Sequence, residues 1–425
     1  MLKLFTICCI WLLISMPSYA KELFTDTKSY SSEIYLKGED SKGNLWFIYK
    51  TKGVLQFDGK KWWIYSLGKD YLYNDLFIDK KDNILVSIGS LIDNPHPDRG
   101  IYTIKNNNLT ILYNRKNISG LDFYRIYYDQ KNIPYFLMEP HDGRKYLIYT
   151  IRDNQWFKVN KEFHIPEDIG SLDLFIDSKN RKWFSFGDNI TMIDPNDKEH
   201  ILDGEVVTIY YFNSMSLPDD NSRYTNQYKC KVLYEDKKGN IWARANNALA
   251  KYDKNNHWTY YTRKDGIEFQ YDIPVNIVEN KKDELLVSSA NGILKFSNDK
   301  FQSYYPKFFK FDTNQNKGKY ALFFEEQRIM AMALDKDDTL WLSTFYRLEK
   351  FKNGKLKILL DDINPGGKGH YIESIYVDKH NFKWFTYTDN LDEYHSPLLY
   401  YDNKYWHEVF DGEPFELPYH YYTTK

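Results

Sequence analysis

A seven-residue phrase returns eight times along this chain. Asp40-Ser-Lys-Gly-Asn-Leu-Trp46 reappears as Asp236-Lys-Lys-Gly-Asn-Ile-Trp242. Looser copies run from Asp79 to Leu85, Asp129 to Tyr135, Asp177 to Trp183, Asn280 to Leu286, Asp335 to Trp341 and Asp378 to Trp384. The two anchors of each copy stand six residues apart, and the second anchor advances by 39, 50, 48, 59, 44, 55 and 43 residues. A chain that repeats one unit of about 40–50 residues does not build a single central core; each unit buries its apolar surface against the next.

The units share a grammar. An apolar β-rich run precedes the Asp, as in Leu76-Phe-Ile78, Leu174-Phe-Ile176 and Ile375-Tyr-Val377. A tight turn follows, where Asp accepts backbone N–H groups and Gly supplies a positive φ. The second strand begins at the Trp, which is expected to fill the gap between neighbouring units. A third strand ends in an aromatic (Val54-Leu-Gln-Phe57, Leu249-Ala-Lys-Tyr252), and a fourth carries aromatics (Trp62-Trp-Ile-Tyr65, Trp258-Thr-Tyr-Tyr261, Trp406). With 18% aromatic residues the composition favours strands. Four short strands per unit describe the blade of a β-propeller. The expected fold is all-β, eight four-stranded blades, with seven as the alternative. Ring closure is left open between blade-to-blade packing and outer-edge pairing by 23–28 or 419–424.

The motif Asp-x-x-Gly-Asn-[Leu/Ile]-Trp, followed by a Gly-Val/Ile-Leu strand and a Trp-x-x-Tyr strand, resembles the two-component regulator propeller repeat. The resemblance extends over about residues 31–410 and is strongest at the first and fifth units. It implies a periplasmic sensor-type propeller that binds a ligand, in a stand-alone exported form. The usual Gly-Thr after the Trp is replaced by Phe47-Ile48 and Ala243-Arg244, and no kinase segment follows Lys425. The signalling output therefore does not carry over, and a membrane protein partner rests on the resemblance alone.

Residues 1–20 read as an export signal: Lys3, an uncharged apolar run from Leu4 to Met16, then Pro17-Ser18-Tyr19-Ala20 with small residues before a cut. The expected division is signal 1–20, lead-in 21–30, propeller 31–410 and tail 411–425, with a periplasmic or secreted destination. Beyond the signal only Cys230 remains, expected as a small buried hydrophobe, so no internal disulfide is available. Lys and Arg number 57 against 59 Asp and Glu, which leaves no basic field for nucleic acid.

Long irregular segments fall on one face of the expected disc: 89–100, 138–145 and 389–397 between second and third strands, and 160–171, 212–228, 262–274, 306–327 and 361–371 between blades. Length variation confined to one face of a rigid scaffold marks a binding face. Four residues before each anchor, near the channel mouth, stand Leu36, Asp75, Arg125, Asp173, Val232, Asn276, Ala331 and Ser374. Asp75, Arg125, Asp173, Asn276 and Ser374 are candidate ligand contacts. Tyr73, Tyr124, Tyr271 and Tyr371 either stack on sugar rings or belong to the inter-blade core. Lys pairs in turns (Lys80-Lys81, Lys237-Lys238, Lys281-Lys282) read as solubilising.

No zinc-protease helix, phosphate loop, nucleophile elbow or calcium-loop spacing occurs, and no cofactor or metal is expected. Two functions remain: a non-catalytic binder of a glycan, small molecule or protein, and a secreted polysaccharide lyase or glycoside hydrolase. The second requires Asp75, Arg125 and Asp173 to converge on one substrate.

Overall fold

The computed structural model describes residues 21–22, most of 34–409, and 414–415. The longer stretches outside the described residues are 1–20, 23–33, 91–98, 141–145, 195–205, 212–229, 268–274, 306–328, 361–370, 388–397 and 416–425. The chain forms eight antiparallel sheets in an eight-bladed propeller, each sheet built from four consecutive strands. Blades 1 to 8 span 34–65, 71–114, 121–158, 173–211, 231–261, 277–305, 329–360 and 372–408. The first strands of blades 1 and 2, 2 and 3, 4 and 5, 6 and 7, and 7 and 8 touch one another, so they stand innermost, around the axis.

The repeated Asp is explained atom by atom. In blade 1, Asp40 Oδ1 accepts the N–H groups of Lys42 and Asn44 at 3.0 and 2.9 Å. All eight anchors accept the corresponding pair, two and four residues on. In the five blades with Trp six residues on, the indole N–H donates to the second Asp oxygen at 2.9–3.0 Å. Where Trp is absent the second position finds another use. Asn280 turns its amide N–H toward Glu284 Oε2 at 2.8 Å, and that swap is why Asn serves there. The residue three after each anchor has positive φ in all eight blades, but only Gly43 and Gly239 are glycine; the rest are Asn or Asp, the other types that enter this region readily.

That third residue also fastens the ring. Asp82, Asn180, Asp338 and Asn381 each accept a backbone N–H from the turn of the preceding blade, at 2.7–3.2 Å. Blades 1 and 5, with Gly there, and blade 6 supply Glu39, Glu235 and Glu279 instead, at 2.8–3.0 Å. Between blades 2 and 3 the ammonium of Lys80 donates to Gln130. Lys237, Lys281, Lys336 and Lys379 likewise donate to carbonyls of the following blade's turn. All five clasp neighbouring blades, and three of them, Lys80, Lys237 and Lys281, were read from sequence as solubilising.

Eight apolar clusters fill the eight inter-blade gaps, and each contains the anchor expected there: Trp46, Leu85, Tyr135, Trp183, Trp242, Leu286, Trp341 and Trp384. The gap between blades 8 and 1 holds Trp384, Leu398, Phe47, Phe57 and Ile34. Ring closure therefore uses packing plus the Lys379–Glu39 hydrogen bond, and no blade borrows a strand from the other end of the chain to complete its four. Short terminal strands extend two outer edges: Lys21–Glu22 on blade 1 and Pro414–Phe415 on blade 8. The segments anticipated for such pairing, 23–28 and 419–424, lie outside the described residues. Cys230 is buried between blades 4 and 5, as expected.

Blades four apart correspond. Anchor spacings of 39, 50 and 48 in the first half parallel 44, 55 and 43 in the second. Blades 1 and 5 bulge three residues before the anchor, at Lys37 and Leu233. Blades 2 and 6, and also blade 7, bulge between their third and fourth strands. Blades 4 and 8 send a buried lysine, Lys182 or Lys383, back toward the preceding anchor Asp at 3.7 or 3.5 Å. The ring reads as two four-blade halves.

Candidate functional site

The scaffold repeats through both halves; the inner-strand charges do not. Counting from the first blade, the four positions before the anchors read Leu36, Asp75, Arg125 and Asp173 in one half and Val232, Asn276, Ala331 and Ser374 in the other. Each charge of the first half meets a neutral residue in the second.

Asp75 joins three blades. Its Oδ1 pairs with Lys37 Nζ of blade 1 at 2.7 Å, and its Oδ2 accepts the N–H of Ile126 in blade 3 at 2.9 Å. Lys37 is the bulge residue of its strand, and a bulge redirects a side chain. Asp173 joins the next three. Its Oδ1 accepts from Arg125 Nη1 and from the Tyr127 hydroxyl, both at 2.8 Å, and its Oδ2 pairs with Lys231 Nζ of blade 5 at 2.6 Å. A charged arc thus runs from blade 1 to blade 5.

The neutral half bonds its inner strands without charge, mostly within each blade. Asn276 donates its N–H to Ser288 Oγ at 2.8 Å and its amide to the Met330 carbonyl. Ala331 N–H donates to Ser343 Oγ at 3.1 Å, and the hydroxyl of Ser374 meets that of Thr386 at 2.5 Å. Val232 N–H finds Ser185 Oγ of blade 4, the service that Asp75 gives Ile126.

The anticipated residues therefore divide. Asp75, Arg125 and Asp173 fall within the arc, while Asn276 and Ser374 lie on the neutral side. Tyr73 is fully buried between blades 1 and 2, its hydroxyl accepting the Leu67 N–H at 2.6 Å, so it belongs to the core. Tyr371 is half-buried at the start of blade 8. Tyr271 and the side chain of Tyr124 lie outside the described residues. Lys37, Lys231 and Tyr127 were not anticipated, because they stand off the four-before position; the unbalanced Asp pair was the available signal for them.

Most of the long segments read as binding loops lie outside the described residues. Where two of them are described, most of 160–171 and the first part of 262–274, the described residues prove to be packed. Phe163 and Ile165 of 160–171 enter the cluster between blades 3 and 4, and Asn160 Oδ1 accepts the Ile148 N–H at 2.8 Å. Past Thr262, a 3₁₀ turn over Arg263–Asp265 carries a capping box and delivers Ile267 to the cluster between blades 5 and 6.

Electrostatics separates recognition from proton transfer. Burial by itself would raise the Asp173 carboxyl, yet the charges of Lys231 and Arg125, with hydrogen bonds from Lys231 and Tyr127, more than offset it and hold the group below its ordinary 3.8. A glycosidase general acid needs the opposite shift. A carboxyl held low adds stability above its unfolded-state value and loses that contribution as pH falls through the folded one. Urea unfolding should therefore show a gap between wild type and Asp173→Asn that is constant above about pH 5 and closes below about pH 4. A gap that widens toward acid would contradict the ion-paired assignment. Among the described residues no group of three or more His, Cys, Asp or Glu is placed to hold a metal, and no helix is long and apolar enough to cross a membrane.

No protein-family profile matches the chain, and no curated protein matches it. Solved structures do. The extracellular domain of a putative hybrid two component system from B. thetaiotaomicron is 14% identical with a TM-score of 0.40, over 84% of this chain and 50% of that one. A surface component of the type-IX secretion system of Porphyromonas gingivalis is 13% identical with a TM-score of 0.40, over 90% and 57%. Regucalcin, a calcium-binding protein of Agrobacterium tumefaciens, is 12% identical with a TM-score of 0.36, over 66% and 98%. The chain thus spans about half the length of the first two.

Proposed function

We propose that this chain is an exported, non-catalytic β-propeller that binds a glycan, small molecule or partner protein through the charged arc of blades 1 to 5, in a sensor-like role. One observation carries the reading. In the neutral half Asn276 reaches the Met330 carbonyl of the next blade and Ser343 the Ile372 carbonyl of the next, so a link between blades does not itself require ions. Charge placed where the scaffold does not demand it is available for recognition. The low carboxyl of Asp173 favours binding over acid catalysis. Export rests on the signal-like residues 1–20, and binding as a habit rests on the repeat's resemblance to sensor propellers.

The test exchanges one half for the other. The variant Asp75→Asn, Arg125→Ala, Asp173→Ser should fold but melt below wild type, since Lys37, Tyr127 and Lys231 lose their carboxylate partners. A screen of residues 21–425 against oligosaccharides should raise the melting temperature of wild type alone, with the ligand recovered intact. A ligand returned shortened or unsaturated would overturn the non-catalytic reading. Equal stabilisation of both proteins would remove the arc from the binding site.

A further inference from the structure

We infer that the arc takes a ligand bearing a carboxylate, gripped by Arg125 and Lys231 on either side of Asp173. The inference rests on the binding reading above and narrows it to a chemical class. In each ion pair of the arc the cation is the more exposed partner. Side-chain exposure is 25% for Lys37 against 11% for Asp75, and 41% for Arg125 and 48% for Lys231 against 20% for Asp173. The acids form a lower layer that anchors the cations, and a ligand entering from solvent meets positive charge first.

Arg125 and Lys231 touch the two oxygens of a single carboxylate, so one acid holds both heads in place. Guanidinium and ammonium groups both recognise carboxylates, and the outward exposure of these two heads suits a second carboxylate arriving from solvent. Asp173 stays ionised while holding them, so the heads are positioned before the ligand arrives and little ordering is required on binding.

The surroundings limit the ligand's size and charge. On the inner strand of blade 3, three residues before Arg125, Asp122 has a 41% exposed side chain facing Arg99 at 4.0 Å, and here the acid is the outer partner. A polyanion laid across blade 3 meets that carboxylate; a small ligand with one or two acidic groups does not. Recognition is thus a matter of contact with two heads rather than of a broad positive field, in keeping with a net charge of −2 for the whole chain.

The carboxylate has two sources, an acidic sugar or a free organic acid, and titration calorimetry on residues 21–425 separates them. The probes are galacturonate, its methyl ester, and glutarate, at constant ionic strength. The expected result is binding of at least one acid at least tenfold tighter than the ester, and a further loss of at least tenfold in each of Arg125→Met and Lys231→Met. Galacturonate above glutarate identifies the sugar source, and the reverse order the free acid. Ester and acid binding alike, or variants binding like wild type, would overturn the carboxylate while leaving the binding reading intact. Absence of heat from both acids at millimolar concentration would also overturn it; the binding reading is then judged by the oligosaccharide screen alone. Circular dichroism of each variant checks that a loss of binding is not a loss of fold.

Discussion

Asp177→Ala should remove about 4 kcal/mol of folding stability, several times the loss from Asp79→Ala, although both residues anchor the same turn. Asp177 is fully buried and accepts from the N–H groups of Lys179 and Arg181, from Trp183 Nε1 at 3.0 Å, and from Arg181 Nε at 2.5 Å. Arg181 is itself 3% exposed and lies over the rings of Trp183 and Tyr252. Removing the carboxylate strands a buried guanidinium and a buried indole N–H together, and uncompensated buried charge is among the costliest single lesions. Asp79 has Leu85 in place of Trp and keeps only its backbone donors and Asn83, so its loss should cost about 1–2 kcal/mol. Asp177→Asn should not rescue, because an amide N–H would then face two donors. Denaturant unfolding of the three variants settles the matter; equal losses at Asp177 and Asp79 would refute this account of the repeat.

The second large effect concerns the seam. Trp384→Ala empties the cluster between blades 8 and 1, where the indole is 1% exposed and packs on Phe47, Phe57 and Trp62 with ring centroids 5.4–6.0 Å apart. Trp242→Ala empties the equivalent gap between blades 5 and 6. Each should cost about 3–5 kcal/mol. They should differ in where the protein opens, since blades 5 and 6 are consecutive in the chain and blades 8 and 1 are not. Hydrogen exchange should accelerate in the strands of blades 1 and 8 in Trp384→Ala, and stay confined to blades 5 and 6 in Trp242→Ala. The same uniform rise in both would mean that the ring opens only as a whole.

The architecture was legible because it is said eight times. Asp and its aromatic or aliphatic partner recur at a fixed six-residue spacing, and local turn chemistry dictates both. The positive φ after the anchor was legible only at Gly43 and Gly239; at Asp82, Asn180, Asp338 and Asn381 it is hidden by a side chain that also accepts from the preceding blade. The inter-blade clasps of Lys336 and Lys379 were not legible, since an exposed lysine looks the same whether it meets water or a neighbour's carbonyl. The candidate site was half legible. Period alone picked out Asp75, Arg125 and Asp173, but the bulge at Lys37 shifts the phase of its strand, and Lys231 stands one position early. Tyr73 illustrates the converse: it lies in the same strand as Asp75, yet its ring is buried in an apolar gap.

The seam is joined by the same parts as the junctions among blades 5 to 8: a turn-to-turn hydrogen bond, a lysine on a carbonyl, and an apolar cluster. No blade is completed by a strand from the opposite end of the chain. The covalent start of the polypeptide is therefore mechanically arbitrary. A gene rearranged to begin at blade 5 and to tie blade 8 to blade 1 would encode the same wheel, and evolution or an engineer is free to renumber the spokes without rebuilding the hub.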